Sequence, residues 1–213
     1  MNEHCNICFE LSKDEENVVD RDYYELIAAG ENILYENEAF SLIPSFGPLN
    51  HSHAMLVPKK HVNNFASLHE EEKKKTREIL DFLREFYRDS YQEELVFFES
   101  GAGNLTNHSG GCITHAHIHC ISYTDGFDEL LFDEINLEDV GSSGDVDLDY
   151  GYVWFQSING GQYVCNNPLL PSQFLRYLYS KSYDGSHLWN WRRNIDIDGV
   201  RNVIERYRGL KAA

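Results

Sequence analysis

A mixed fold of helix and strand is what the sequence predicts, and three observations carry that reading. Apolar runs of a few residues recur, each stopped by proline, glycine or a polar turn, as strands are. One long stretch, 68–91, repeats its apolar residues at helical spacing. The run His115-Ala116-His117-Ile118-His119 alternates imidazoles with apolar side chains, the two-residue period of a strand.

Taken along the chain, Cys5-Asn6-Ile7-Cys8 comes first, followed by a polar stretch to about residue 30. Ile33-Leu34-Tyr35 and Ala39–Ile43 read as strands, and Pro44, Gly47 and Pro48 then turn the chain. His53–Val57 is a third strand, stopped by Pro58 and followed by Lys59-Lys60-His61. In the helix 68–91, Ser67 and Glu70 form a capping box, while Ile79, Leu80, Leu83, Phe86 and Tyr87 make the buried stripe. Its Lys73-Lys74-Lys75 run stands beside three glutamates and reads as a solvated face. Leu95–Phe98 is a strand leading into a Gly-rich loop, Ser100 to Gly111, whose backbone could approach a phosphate where no Cβ intrudes.

Beyond the histidine run, residues 125–149 hold ten Asp or Glu and no Lys or Arg, with Gly141-Ser142-Ser143-Gly144 inside, which marks a linker or excursion. The last portion returns to order. Strands are expected near Tyr152–Phe155 and Gln162–Cys165, and helices around 172–183 and 198–208, the first with Pro171 at its mouth. The division is therefore 1–125, an acidic segment 126–150, and an extension 151–213.

Composition bounds the function. The 213 residues are 42% hydrophobic, enough for a proper core, so global disorder is excluded. A net charge of −17 argues against binding bulk nucleic acid or an anionic membrane, yet leaves room for a local phosphate site. No signal peptide and no membrane-spanning run is expected, and five cysteines then point to a reducing compartment, the cytoplasm by default.

Three imidazoles on one face of a strand lie close enough to share a phosphate or a metal. Near its ordinary pKa of about 6.5, an imidazole is a competent nucleophile toward phosphorus. A middle histidine flanked by two others suits that work: His117 attacks an α-phosphate while His119 stabilises the charge on the phosphoryl oxygens.

His115-Ala-His117-Ile-His119-Cys-Ile matches the His-x-His-x-His-apolar-apolar signature of the histidine triad (HIT) superfamily of nucleotide hydrolases and transferases, which the chain resembles. His53-Ala-Met-Leu-Val-Pro58-Lys-Lys-His61 is similar to the family's strand ending in Pro-Lys-x-His. Phe98-Glu99-Ser100-Gly101 stands where the family has a short polar-Gly motif. Together these cover about residues 5–125. The resemblance implies an α+β fold: an antiparallel sheet of about five strands with the long helix packed on it. The C-terminal strands and helices would either extend that sheet or form a small subdomain.

The resemblance also implies roles. His117 becomes nucleotidylated, with His53 and His119 as phosphate-side partners. Galactose-1-phosphate uridylyltransferase and several bacterial HIT hydrolases, similar to this chain here, bind zinc through such a cysteine pair, the last histidine of Pro-Lys-x-His and the first triad histidine. The ligands carried over are Cys5, Cys8, His61 and His115, a closed and therefore structural Cys₂His₂ set. The residues by themselves leave other readings open: two ordinary buried cysteines, or an open metal site of His115, His117 and His119. A redox CxxC lacks its usual setting of a strand followed by a helix.

The chain departs from the family at three places. Gly111 and Cys112 replace a polar pair that touches the leaving group, and Ser45 stands where many members have an acid that holds the ribose hydroxyls. The expected partner is a nucleotide or nucleotide conjugate, the alternative function is a non-catalytic nucleotide-binding sensor or scaffold, and a homodimer is left open. In the extension, Trp189 and Trp191 are expected as core anchors, and Arg176, Arg192 and Arg193 as partners of surface acids. The contrary reading puts an arginine on a phosphate and a tryptophan on a base. Cys112, Cys120 and Cys165 are expected as inert lining, and His4, His69, His108 and His187 as exposed.

Overall fold

The computed structural model describes residues 5–18, 20–111, 113–141, 145–183 and 188–212. Cys112, His4, His187 and the Ser-Ser-Gly of 142–144 lie outside the described residues. Among the described residues, eight strands form one sheet in the order β1-β2-β3-β5-β4-β7-β8-β6, with every pair antiparallel. They are β1 (Tyr35–Glu36), β2 (Phe40–Pro44), β3 (Ala54–Pro58), β4 (Leu95–Gly101), β5 (Ile118–Ser122), β6 (Glu138–Asp139), β7 (Tyr152–Gln156) and β8 (Gln162–Asn166). The fold is α+β, as expected. The strand count exceeds five because β7, hydrogen-bonded to β4 along Phe97–Gly101, carries the sheet on into the extension.

Six helices accompany the sheet among the described residues: α1 (Asn6–Ser12), α2 (Arg21–Ala29), α3 (Glu70–Tyr91), α4 (Phe127–Glu134), α5 (Phe174–Tyr183) and α6 (Ile197–Arg206). The polar stretch before residue 30 thus holds two helices that its apolar pattern does not announce. Their punctuation is there, however. Asp20 caps α2 by accepting from the Tyr23 N–H, and Gly30 ends it in the left-handed region. The long helix begins two residues later than expected. Ser67 closes a 3₁₀ turn, Phe65–Ser67, capped by Asn64, and the α3 N-cap is His69, whose N–H donates to Glu72 Oε2 at 3.1 Å.

Strand periodicity sorts the core into two faces. Phe40, Leu42, Ala54, Leu56, Phe97, Ile118 and Cys120 pack under Ile79, Leu80, Leu83 and Tyr87 of α3, with Val203 of α6 and Tyr207 beside them. The alternate residues face the other way, Ile43, Met55 and Val57 against Ile7 of α1, and Val96, Phe98 and Ile121 against α4 and α5. Both faces are covered, which is why β2, β3 and β5 are buried at every position. The acidic segment contains α4, which buries Phe127 and Leu131 in the second cluster.

Candidate active site and metal centre

The histidine run lies at the mouth of β5 rather than along it. The strand starts at Ile118, so His115 and His117 belong to its lead-in and only His119 is within the ladder. The facing alternation persists nonetheless. Ala116, Ile118 and Cys120 lie in the α3 cluster, and His119 sits in register between Met55 of β3 and Phe98 of β4 on the opposite face. The His117 and His119 rings are 4.9 Å apart.

The hydrogen bonds determine which nitrogen of each ring carries a proton. The backbone N–H of Leu49 donates to His53 Nδ1 at 3.1 Å, so His53 Nδ1 is an acceptor and its proton is on Nε2. His53 Nε2 lies 2.8 Å from His119 Nδ1 and donates to it. His119 then carries its own proton on Nε2 and presents a donor. His117 Nδ1 donates to the carbonyl of His115 at 2.8 Å, which leaves Nε2 with a lone pair. Burial holds His53 and His119 well below the ordinary histidine pKa, reinforced by the neighbouring histidines and the Arg176 guanidinium, and lowers His117 as well. All three are neutral at pH 7.

Loop 49–53, which supplies His53, is tied from below. Asn50 Nδ2 donates to Ser122 Oγ at 2.8 Å and to Tyr179 Oη at 2.7 Å, and Tyr207 Oη donates to the Ser52 carbonyl at 2.9 Å. Tyr179 is on α5 and Tyr207 follows α6, so the extension helps to orient this histidine.

Cys5, Cys8, His61 and His115 form a second cluster, their ligand atoms all within 4.8 Å of one another. His115 Nδ1 is 3.5 Å from Cys5 Sγ and 3.4 Å from Cys8 Sγ, and His61 Nδ1 is 3.4 Å from Cys8 Sγ. A zinc tetrahedron with bonds of about 2.3 Å to sulfur and 2.0 Å to nitrogen has edges of roughly 3.3–3.8 Å, which matches these spacings. His115 Nε2 donates to the Pro58 carbonyl at 2.8 Å, leaving Nδ1 for a metal. The pair does open a helix, with Cys5 as the N-cap of α1, but no strand precedes it among the described residues.

His117 and His119 open into a cavity also lined by Arg176, Ser45, Phe46, Trp191 and Glu10. Arg176 is a correction to the expectation that it pairs with surface acids. It is 3% exposed and donates from Nη1 to Ser45 Oγ at 3.1 Å, from Nε to the Trp189 carbonyl at 2.8 Å, and from Nη2 to the Gly47 carbonyl. Trp191 is buried edge-on to Phe46, while Arg192 and Arg193 are exposed. Glu10 escaped the sequence reading altogether, since nothing distinguishes a glutamate in a polar stretch until α1 carries it inward. It is buried, and its Oε1 accepts from Tyr23 Oη at 2.6 Å and Asn32 Nδ2 at 2.8 Å. Burial pushes its carboxyl up to about 7.

The Gly-rich loop serves packing rather than the cavity. A Cβ on Gly101 would lie 2.5 Å from the Tyr152 ring and one on Gly103 2.3 Å from the Asp149 carbonyl, and neither residue lines the cavity.

Residues 18–129, just over half of the chain, match the sequence profile of the family described as "Scavenger mRNA decapping enzyme C-term binding". No curated protein matches the chain. Among solved structures it is similar to SMU.412c of Streptococcus mutans, at 16% identity over 57% of this chain and 66% of that one, with a TM-score of 0.43. It is similar to a zinc-bound histidine triad family protein of Mycobacterium smegmatis at 16% identity, over 57% and 76% of the two chains, with a TM-score of 0.43. It is similar also to a HIT family member of Bacillus subtilis at 18%, over 56% and 73%, again at 0.43.

Proposed function

This chain belongs to the family of the scavenger mRNA decapping enzyme C-terminal binding domain, within the histidine triad superfamily, and from that membership we propose a nucleotide hydrolase or nucleotidyltransferase working through His117. The observation that carries the reading is the proton order around the cavity. His117 offers a lone pair at Nε2, and beside it His119 offers an N–H fed by His53 and the Leu49 amide.

In the proposed reaction His117 Nε2 attacks the α-phosphorus of a bound nucleotide, a P–N bond forms, and the bond to the leaving group breaks with its electron pair. His119 Nε2–H donates to the oxygens on which charge accumulates. Water or a second acceptor then attacks the nucleotidyl-histidine and returns His117 to its neutral form. The substrate is a nucleotide or nucleotide conjugate, and residues 1–125 would carry the reacting groups, with 126–150 leading into an extension, 151–213, that continues their sheet through β7. Arg176 would add positive charge from the extension.

Zinc is the metal that the Cys5, Cys8, His61 and His115 set fits by donor type and spacing. Bound there, it would close a tetrahedron and clamp α1 to the lead-in of β5, a structural role with no part in the phosphorus chemistry. Cysteines kept as thiolates for zinc suit a reducing compartment, and the cytoplasm is the proposed location. No helix among the described residues is long and apolar enough to cross a membrane.

Incubation with a nucleoside 5′-phosphoramidate, followed by phosphorus NMR and mass spectrometry, tests the reading. Wild type turns the substrate over and yields a nucleotidyl adduct; His117→Ala does neither while its thermal transition remains. Labelling that survives in His117→Ala sinks the assignment. Tight nucleotide binding without turnover would favour the sensor or scaffold alternative, to which the Ser45–Arg176 pair, in place of the family's acid, lends support.

A further inference from the structure

Cys5 and Cys8 stand unequally in their cluster. Cys5 is 3% exposed and packs with Ile7, Ile43, Met55 and Val57, whereas Cys8 is half-buried. Cys8 also lines a groove together with Lys13, Asn32, Glu36, Lys59 and His61, and Cys5 does not. That groove shares only Glu10 with the lining of the His117 cavity, so a small molecule reaches Cys8 without crossing the nucleotide site. The two sulfurs are nonetheless neighbours. They lie within 4.8 Å of each other and within 3.5 Å of His115 Nδ1, and the Cys8 N–H donates to Cys5 Sγ at 3.4 Å. Only a side-chain movement separates them from bonding. An accessible sulfur beside a sheltered one is the arrangement of a redox-sensing pair, in which the first takes the oxidant and the second resolves it.

We propose that Cys8 is a site of oxidation by peroxides, resolved by Cys5 into a disulfide that releases the metal. The metal half of this rests on the reading of Cys5, Cys8, His61 and His115 as a zinc set, and the thiol half rests on the geometry of the pair. The Cys8 thiolate attacks one oxygen of a hydroperoxide. An S–O bond forms, the O–O bond breaks, and the second oxygen leaves with the electron pair as hydroxide or alkoxide. The Cys5 thiolate then attacks Cys8 Sγ, the S–S bond forms, and the S–O bond breaks with hydroxide leaving. Two electrons pass from the thiolates to the peroxide, and two protons from solvent neutralise the products. A disulfide offers no thiolate, so two of the four donors are lost and the two histidines alone hold zinc weakly. A dithiol reverses the exchange through a mixed disulfide and restores both ligands. No strand precedes α1 among the described residues, which speaks against a disulfide oxidoreductase and not against a sensor. The signal has a path to the site. α1 carries Ile7 and Glu10 into the cavity wall, and the His115 carbonyl holds His117 Nδ1, so losing the metal loosens both.

Treating the full chain with hydrogen peroxide, then reading zinc with a metal-sensitive dye and the cysteines by peptide mass mapping, tests this without any substrate. About one zinc is expected to leave per Cys5–Cys8 disulfide formed, and a dithiol followed by added zinc to restore the starting state. Cys165, half-buried on β8 and outside the metal set, supplies the control: Cys165→Ser releases zinc as wild type does. Oxidation in the presence of dimedone, which captures sulfenic acid, is expected to label Cys8 and leave Cys5 unlabelled. In Cys5→Ser the resolving thiol is gone, so the Cys8 adduct increases and no disulfide forms. Should near-ultraviolet circular dichroism show that variant unfolded, the labelling of wild type decides. Zinc retained with both thiols free after peroxide, or dimedone on Cys5 in place of Cys8, overturns the proposal. The two readings fail separately. A chain that purifies without zinc yet forms the disulfide sinks the metal reading and leaves the thiol pair standing, whereas a chain that binds zinc and holds it under peroxide does the reverse.

Discussion

At the scale of single residues, the backbone amide of Leu49 has the largest consequence. An amide nitrogen can only donate, so it determines the tautomer of His53, which determines that of His119. Removing His53 leaves His119 free to choose either tautomer. His53→Ala should lower kcat by about 100-fold, within the usual range for proton-transfer groups, with KM little changed. Steady-state kinetics on a phosphoramidate checks this, and a loss confined to KM would contradict it. Glu99 offers a prediction outside the site. It is buried, accepts from the Phe65 N–H and from Tyr152 Oη, and burial pushes its carboxyl up from 4.5 to about 7. Between those two pH values the folded chain holds a proton that the unfolded chain has lost. This group therefore makes the fold less stable as pH rises through that window. Glu99→Gln should remove that slope, seen as a flatter dependence of urea midpoint on pH, and an equally steep profile would refute it.

At the scale of elements, α1 and the β2–β3 turn carry the most. α1 is only seven residues long, too short to persist by itself, and Ile7 and Glu10 on it form cavity wall. In the proposed reading, zinc on Cys5 and Cys8 anchors it, beside the hydrogen bonds that Glu10 accepts from Tyr23 and Asn32. Chelation of zinc, or Cys8→Ser, should lower the thermal midpoint and release hydrogen-exchange protection over α1 before the sheet loses any. A protein that purifies without zinc yet keeps α1 protected would contradict the clamp. In the β2–β3 turn, Gly47 lies so close to the extension that a Cβ there would be 2.7 Å from Trp191 Cβ. Its carbonyl also accepts from Arg176. Gly47→Ala should cost about 1–3 kcal/mol through overpacking and weaken nucleotide binding as Trp191 and Arg176 shift. Chemical denaturation and a GMP titration together measure this, and a variant of wild-type stability would show that the turn yields freely.

At the scale of the whole molecule, the extension is built into the catalytic sheet. β7 pairs with β4 along five residues, and Tyr179, Tyr207, Arg176 and Trp191 reach back to loop 49–53 and the cavity. Truncation at residue 150 would uncover the β4 edge and its second-face residues Val96 and Phe98, both fully buried in the intact fold. The shortened chain should aggregate on expression, as light scattering would detect, instead of giving a minimal active unit. A soluble, active 1–150 fragment would refute this account of the sheet.

Legibility followed the range of the interactions. The strands Ala39–Ile43 and Leu95–Phe98, the stripe of α3 and the helices near 172–183 and 198–208 could be read because each depends on local period and punctuation. The α3 start was misplaced because Ser67 and His69 each precede a glutamate by three residues, and the 3₁₀ turn used up the first. α1 stayed hidden because it is seven residues long, and its apolar pair Ile7 and Leu11 is too short a pattern to announce a helix. By itself, the sequence determined the chemistry on offer: the imidazoles at 115, 117 and 119, the cysteine pair, and the alternation that sends Ala116 and Ile118 to one face and His119 to the other. The family resemblance implied how those groups divide, and it is tertiary structure that brings His115 beside Cys5 and Cys8, and His119 beside His53. It also brought Arg176 and Glu10 to one cavity from elements 166 residues apart. The reason is physical. Side-chain direction follows from a two-residue period, whereas which charged groups meet depends on how separate elements close over one sheet.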